Sequence, residues 1–300
     1  MSGPIKLLIE PRQHDLGGFS VRRVLPYAKQ RMVGPFIFFD HMGPGEFPPG
    51  KGVDVRPHPH IGLATVTYLF AGALGHKDTT GADIVIRPGA VNWMTAGRGV
   101  AHSERTPPDE RAAGHKIHGI QTWVALPKSH EEAEPGFVHH PADTLPEFDL
   151  GGARARLIAG DAWGHRSPVE FPWGIWYLAV EAEADAAYDI PADAADERAL
   201  YVVEGAVALD GQTVGERTMA VLEGGGSVSV SMSAGAKVML AGGEAMDGAR
   251  HINWNFVSSS KDRINQARED WRASIAADWK NSPFAQVPGE TEWIPLPEDR

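Results

Sequence analysis

Residues 56–70 run Arg56-Pro57-His58-Pro59-His60-Ile61-Gly62-Leu63-Ala64-Thr65-Val66-Thr67-Tyr68-Leu69-Phe70. If the first part is extended, the imidazoles of His58 and His60 point to the same face, because side chains alternate along a strand. Pro59 stiffens the backbone between them. Residues 64–70 then read as a strand rich in β-branched and aromatic side chains. Working outward, similar short runs recur at 19–24, 36–39, 82–86 and 117–126. Turn-forming pieces such as Gly43-Pro44-Gly45 and Arg87-Pro88-Gly89-Ala90 separate them. With 34 glycines and 23 prolines, long helices should be few. The pattern favours a β-barrel or sandwich over strands alternating with helices.

The second half repeats the β character. Residues 175–180, 199–203, 206–209, 227–232 and 237–241 read as strands, and Asp210-Gly211 is a hairpin turn signal. Between the halves, residues 127–146 form a connector rich in charge, histidine and proline, with His139 and His140 expected at the surface. We therefore expect an all-β chain with an N-terminal domain over 1–130 and a second domain of similar plan over 131–300. One helix is predicted late. Ser260 caps it, Ile264, Ala267, Trp271, Ile275 and Trp279 form an apolar stripe at helical spacing, and Pro283 should end it. Its expected role is to pack against a β domain.

Composition removes several functions. The 28 basic and 39 acidic residues leave a formal charge of -11, which disfavours a broad nucleic-acid surface. No cysteine is present, so disulfides, thiolate ligands and cysteine nucleophiles are excluded. The first residues lack the long apolar core of a secretory signal, and no stretch approaches a membrane span free of charge. A soluble, cytoplasmic protein is the expectation.

The chemistry points to a metal. His102-Ser103-Glu104 repeats the same-face geometry of His58-Pro59-His60, and a β architecture can bring the two pairs together as three nitrogens and one oxygen. Gly97-Arg98-Gly99 lets the chain turn closely before His102, and Trp93 and Met94 offer an apolar wall. A mixed nitrogen and oxygen shell with open positions suits iron, manganese, nickel or copper, with zinc an alternative. His41, ending the run 36–39, is a candidate for a place just behind the ligands, with Phe36 and Phe38 as pocket contacts. His76, following an expected hairpin turn, and His115 and His118 are read as surface or supporting histidines.

These residues resemble the pirin family of the cupin superfamily. The matching pieces are Pro35-Phe36 with Asp40-His41-Met42, His58-Pro59-His60 with Gly62 and Thr65-Val66-Thr67-Tyr68, and above all Trp93-Met94-Thr95-Ala96-Gly97-Arg98-Gly99-Val100 with His102, Ser103 and Glu104. The motifs span about residues 16–126. The resemblance implies two stacked cupin barrels, a bicupin, with His58, His60, His102 and Glu104 as ligands of one divalent metal, iron foremost. Many members carry glutamate where this chain has Ala64.

Two main functions follow from the resemblance. The first is a quercetin (flavonol) dioxygenase-type oxidoreductase, acting on a small phenolic substrate with dioxygen, with Glu104 as acid or base. The second is a non-enzymatic, redox-sensing regulatory module that contacts a protein partner. A metal that merely staples the domain is a third.

Overall fold

The computed structural model describes residues 3–15 and 19–297. It is 50% strand and 10% helix, organised as two cupin domains. The chain packs as two compact units that are discontinuous in sequence. One comprises residues 1–14, 22–41 and 140–246, the other 15–21, 42–139 and 247–300. The packing thus departs from the division expected after residue 130. The strand Ile5–Ile9 pairs antiparallel with Met219–Leu222 and so joins the second half of the chain. The late helix joins the first half.

In the first unit, one sheet orders the strands Ile5–Ile9, Met219–Leu222, Glu197–Glu204, Lys237–Gly243, Ile175–Glu181, Ala153–Ala162 and Glu147–Leu150. A second orders Ala186–Ile190, Val228–Met232, Val207–Leu209 and Gln212–Val214. Leu157, Leu178, Val180, Leu200, Val202, Val230 and Leu240 belong to one continuous apolar core in this unit. The end strands of these sheets do not pair, so the unit is a cupin sandwich and not the closed barrel expected. Asp210 and Gly211 both have positive φ, 47° and 81°, as a two-residue hairpin requires. Arg198, buried in this unit, donates to the carbonyls of Pro191, Glu223 and Gly226 and ties three loop segments together.

The second unit also has a larger and a smaller sheet. The larger runs Gly136–His140, Val91–Thr95, Leu63–Ala71 and His115–Ala125, followed by Phe36–Phe47, whose residues from Met42 onward belong here. Part of the expected connector is therefore a strand, and His139 Nδ1 lies 2.7 Å from Asn92 Oδ1 instead of standing free in solvent. The smaller sheet runs Asp54–His60, Val100–Arg105, Leu74–Asp78 and Asp83–Ile86.

The helix Lys261–Ala276 is capped by Ser260, whose hydroxyl accepts from the Arg263 N–H at 3.3 Å. Its buried Ile264, Ala267 and Trp271 pack with Ile61, Ala101, Phe256 and Phe284. It ends at Ala276, well before Pro283. Asp278, Trp279 and Asn281 then take positive φ, and the returning chain still lays Trp279 on Trp271 with ring centroids 5.2 Å apart.

Just before this helix, a buried ionic cluster fixes the backbone. Glu131 is paired with the fully buried Arg250 side chain at 2.8 Å. It also accepts from the Ser258 hydroxyl and the Ser259 N–H, both at 2.8 Å. Arg250 in turn donates to the Leu126 carbonyl at 2.9 Å. Removing one member of a buried pair leaves the other charge uncompensated, at a cost of roughly 3–5 kcal/mol. Because Asp247 also contacts Arg250, Glu131→Gln should lose about 2–3 kcal/mol, read as a lower urea midpoint with an unchanged slope. A midpoint within error of the parent would contradict this assignment.

Candidate metal centre

Three short strands of the smaller sheet in the second unit build the site. The central strand, Val100–Arg105, is antiparallel to both neighbours. His102 lies opposite His58 on one side and opposite Asp78 on the other, while Glu104 lies opposite His76. Alternation then gathers His58, His60, His76, Asp78, His102 and Glu104 on one face, and all six are buried. Ser103, Arg105 and Lys77 turn to the other face, where Ser103 and Arg105 hold the Glu290 carboxylate. The pairing slips by one residue beyond His102, since Glu104 stands opposite Val55. The extra residue falls on the strand carrying Pro57, whose ring nitrogen has no hydrogen to contribute to a ladder.

Two glycines allow other chain segments close to these strands. Gly62 has φ 65°, and a side chain there would strike the Val257 carbonyl. Gly97 has φ 50° and sits equally close to the Ala133 carbonyl, which accepts from the Arg98 N–H at 2.9 Å. The tight turn expected at Gly97-Arg98-Gly99 is present, closed by the Gly99 N–H on the Ala96 carbonyl at 2.9 Å, and it also approaches a neighbouring loop closely.

Among the described residues, two overlapping groups bring potential ligand atoms within 4.8 Å of one another: His58, His60 and His102, and His76, His102 and Glu104. His58 Nδ1 is 2.9 Å from the Arg56 carbonyl, and His60 Nδ1 is 2.9 Å from the Asn255 carbonyl. A carbonyl only accepts, so each ring carries its hydrogen on Nδ1 and keeps Nε2 as a lone pair. His60 Nε2 and His102 Nε2 are 3.0 Å apart. Trp123 closes the wall with its edge toward His60, centroids 5.0 Å apart.

Burial is the main cause of the electrostatics. It lowers His58 to about 4, aided by the nearby His76 and opposed by the Arg56 carbonyl. It drives His60 and His102 well below the ordinary histidine value, with neighbouring imidazoles adding to the effect. Burial pushes Glu104 upward, and the Gln121 amide opposes it by donating to Glu104 Oε1 at 2.6 Å. Gln121 also reaches the Thr67 hydroxyl at 3.3 Å, so its orientation is set from two sides.

A divalent metal fits this donor set. Neutral imidazoles with lone pairs aimed inward are the ligands such an ion requires, and carbonyl partners on the far nitrogens hold the rings in place. His58, His60 and His102 form one group that could hold it, and His76, His102 and Glu104 form another.

Other residues singled out by sequence are placed as follows. Trp93 and Met94 are buried on the strand Val91–Thr95, opposite Val66 and Thr65. Phe36, Phe38 and His41 belong to the first unit. There Phe36 packs on Tyr177, Phe38 lies under the Arg23 guanidinium, and His41 Nδ1 is 2.8 Å from the Tyr201 hydroxyl. Ala64 is buried opposite Val124, one residue out of step with Thr65 and Thr67, and so faces away from Gln121 and Trp123. His76, read as a surface or supporting histidine, is buried on the metal face, while Asp78, Gln121 and the Asn255 carbonyl escape a reading by sequence. A signal for the first two was present, because His76-Lys77-Asp78 has the spacing of the other two pairs.

Comparison with known proteins agrees with this architecture. The Pirin family profile matches residues 18–124, and the profile described as the Pirin C-terminal cupin domain matches residues 177–276. A pirin-like protein of Caulobacter vibrioides is 48% identical over 98% of this chain and 100% of its own length. A Pseudomonas aeruginosa protein, provisionally named a quercetin 2,3-dioxygenase, is 37% identical over 87% of this chain and 81% of its own. The crystal structure of quercetin 2,3-dioxygenase from Acinetobacter baumannii superposes with a TM-score of 0.90 and 31% identity, covering 98% of this chain and 95% of that one. With both halves matched in order and a relative similar along almost its whole length, the chain belongs to the pirin family.

Proposed function

We propose that this protein is a metal-dependent oxygenase acting on a planar phenolic substrate of the flavonol class. The observation that carries the reading is the buried group of three neutral imidazoles beside a carboxylate held by Gln121. The relatives named as quercetin 2,3-dioxygenases support the choice of substrate. A divalent ion held by His58, His60, His102 and Glu104 would supply a Lewis-acidic position for the ionised hydroxyl of a flavonol. Iron is our first choice of ion, since a redox-capable metal suits dioxygen chemistry. A cytoplasmic setting is compatible with a chain that carries no cysteine. Among the described residues, no helix is long and apolar enough to cross a membrane.

The chain's own residues have separable tasks. The carbonyls of Arg56 and Asn255 orient His58 and His60. Gln121 holds Glu104 Oε1, and the carboxylate would take the hydroxyl proton of an entering substrate only as its hold on the ion loosens. Trp123 limits access of water beside His60. Ala64 stands on the other face of its strand, so the acid that many relatives carry there is not missing from the carboxylate partners of the metal face.

Protein loaded in turn with ferrous iron, manganese, nickel and copper should consume dioxygen with quercetin and release carbon monoxide and a depside in equal amounts. Gln121→Leu should lower kcat about 10- to 100-fold through loss of the Glu104 partner. An absence of turnover with every metal and several flavonols would overturn the oxygenase reading.

Metal binding is testable separately through stability. At a free metal concentration 100 times Kd, binding should add about 2.7 kcal/mol to the unfolding free energy. His60→Ala should abolish most of that increment. If both proteins respond identically to metal, the histidine group is not its site.

A further inference from the structure

His76 and Asp78 form a buried pair on the metal face that the four ligands leave unused. His76 Nδ1 is 3.4 Å from His102 Nδ1, and His76 Nε2 is 3.0 Å from Asp78 Oδ2. Phe137 stacks on the His76 ring with centroids 4.5 Å apart and holds its plane. The other oxygen of Asp78, Oδ1, accepts from the Thr80 N–H at 2.8 Å, the Thr80 hydroxyl at 2.6 Å and the Ala82 N–H at 3.2 Å. Burial alone would raise the Asp78 carboxyl, but the bonds from His76 and Thr80 outweigh it and hold the group below its usual range. Oδ1 is thus saturated by the loop 79–82, and Oδ2 is presented to His76.

The hydrogens along this row can be counted. A neutral imidazole carries one N–H. With Asp78 ionised and the His76 ring neutral, its hydrogen lies on Nε2 toward Asp78, which leaves Nδ1 as a lone pair. His102 Nδ1 then supplies the hydrogen between the two rings, and His102 Nε2 becomes a lone pair. His60 already spends its N–H on the Asn255 carbonyl, so its Nε2 is a lone pair as well. Two lone pairs 3.0 Å apart repel unless a cation lies against both. With neutral rings, the row from Asp78 to His60 is consistent when a positive charge sits at the two Nε2 atoms.

We propose that His76 and Asp78 are positioning residues for the metal, forming an Asp78–His76–His102 relay that fixes the hydrogen on His102 Nδ1 and directs Nε2 to the ion. The inference rests on the metal reading above and adds two residues to it. It also makes the three imidazole ligands unequal. His58 and His60 lean on neutral carbonyls, whereas the row behind His102 ends on a carboxylate. Such a partner raises the basicity of a ligating nitrogen, and its loss typically costs 10- to 100-fold in affinity.

The test uses the full-length protein, stripped of metal and titrated with Co2+ and Cu2+ against a competing chelator. His76→Leu should weaken both about 10- to 100-fold, with Asp78→Asn between it and the parent. His76→Asn should recover much of the loss, because its carboxamide oxygen can stand near the place of Nδ1 and accept from His102. Electron paramagnetic resonance of the Cu2+ forms should show the same number of coupled nitrogens in parent and His76→Leu, with an altered copper hyperfine splitting. Unchanged affinity and spectrum in His76→Leu would overturn the relay while leaving the metal site intact. One fewer coupled nitrogen would overturn it differently, by making His76 a ligand. A parent that binds neither ion would sink the metal reading and the relay with it. If His76→Leu does not fold by circular dichroism, the near-isosteric Asp78→Asn carries the same comparison, and parent-like affinity there overturns the relay.

Discussion

The strand Val100–Arg105 is hydrogen-bonded on both sides, and that double pairing is the constraint on which the site depends. It sets His102 opposite both His58 and Asp78, and Glu104 opposite His76. A slip of one residue on either side would turn a neighbour's polar pair to the opposite face, where Arg105, Ser103 and Glu290 now meet. Register is specified here by more than apolar patterning. The extra residue near Pro57 takes up the mismatch on one strand, and Gly62 and Gly97 admit close-lying carbonyls that a side chain would repel.

Concentrating six polar groups on a buried face is costly unless each finds a partner. The structure meets this with acceptors whose chemistry also sets the protons. Carbonyls receive the hydrogens of His58 and His60, and Gln121 donates to Glu104. Asp78 receives four hydrogen bonds, three on one oxygen. Burial favours the neutral form of His58, His60 and His102, and neutral imidazoles are metal ligands. The same desolvation that would penalise an idle histidine cluster therefore prepares it for an ion.

Much of this was legible in the chain itself. Period-two spacing exposed His58/His60 and His102/Glu104, because a strand places such pairs on one face whatever lies between them. The all-β class followed from short β-branched runs punctuated by glycine and proline. His76 and Asp78 had the same spacing but were flanked by Gly75 and by Thr79-Thr80-Gly81, which read as the end of a hairpin. Glu131 looked like one charge in a solvated connector, since nothing local announces an arginine more than a hundred residues away. Asn255 acts through its backbone carbonyl, to which its residue type contributes no signature. Phe36 and Phe38 show the converse difficulty. An aromatic near a histidine in sequence satisfies a core or a pocket equally well, and Phe36 packs on Tyr177. Whether sheets close into a barrel depends on pairing between their end strands, which periodicity within a strand does not report.

The discontinuity of the second unit bears directly on its chemistry. His60 owes its tautomer to a carbonyl at residue 255, and that segment is anchored by Glu131 and Arg250. Farther on, the Ile294 N–H donates to the Pro57 carbonyl at 2.8 Å, beside the irregular point of the His-Pro-His strand. Glu290 grips Arg105 on the reverse face of the strand that carries His102 and Glu104. The candidate ligands thus lie within 58–104, but the hydrogen bonds that orient them extend into the last fifty residues. A segment cut near residue 130 would contain every candidate ligand and lack the carbonyl that decides which nitrogen of His60 is available. For this site, the unit of function is the packed unit and not the contiguous stretch that bears the motif.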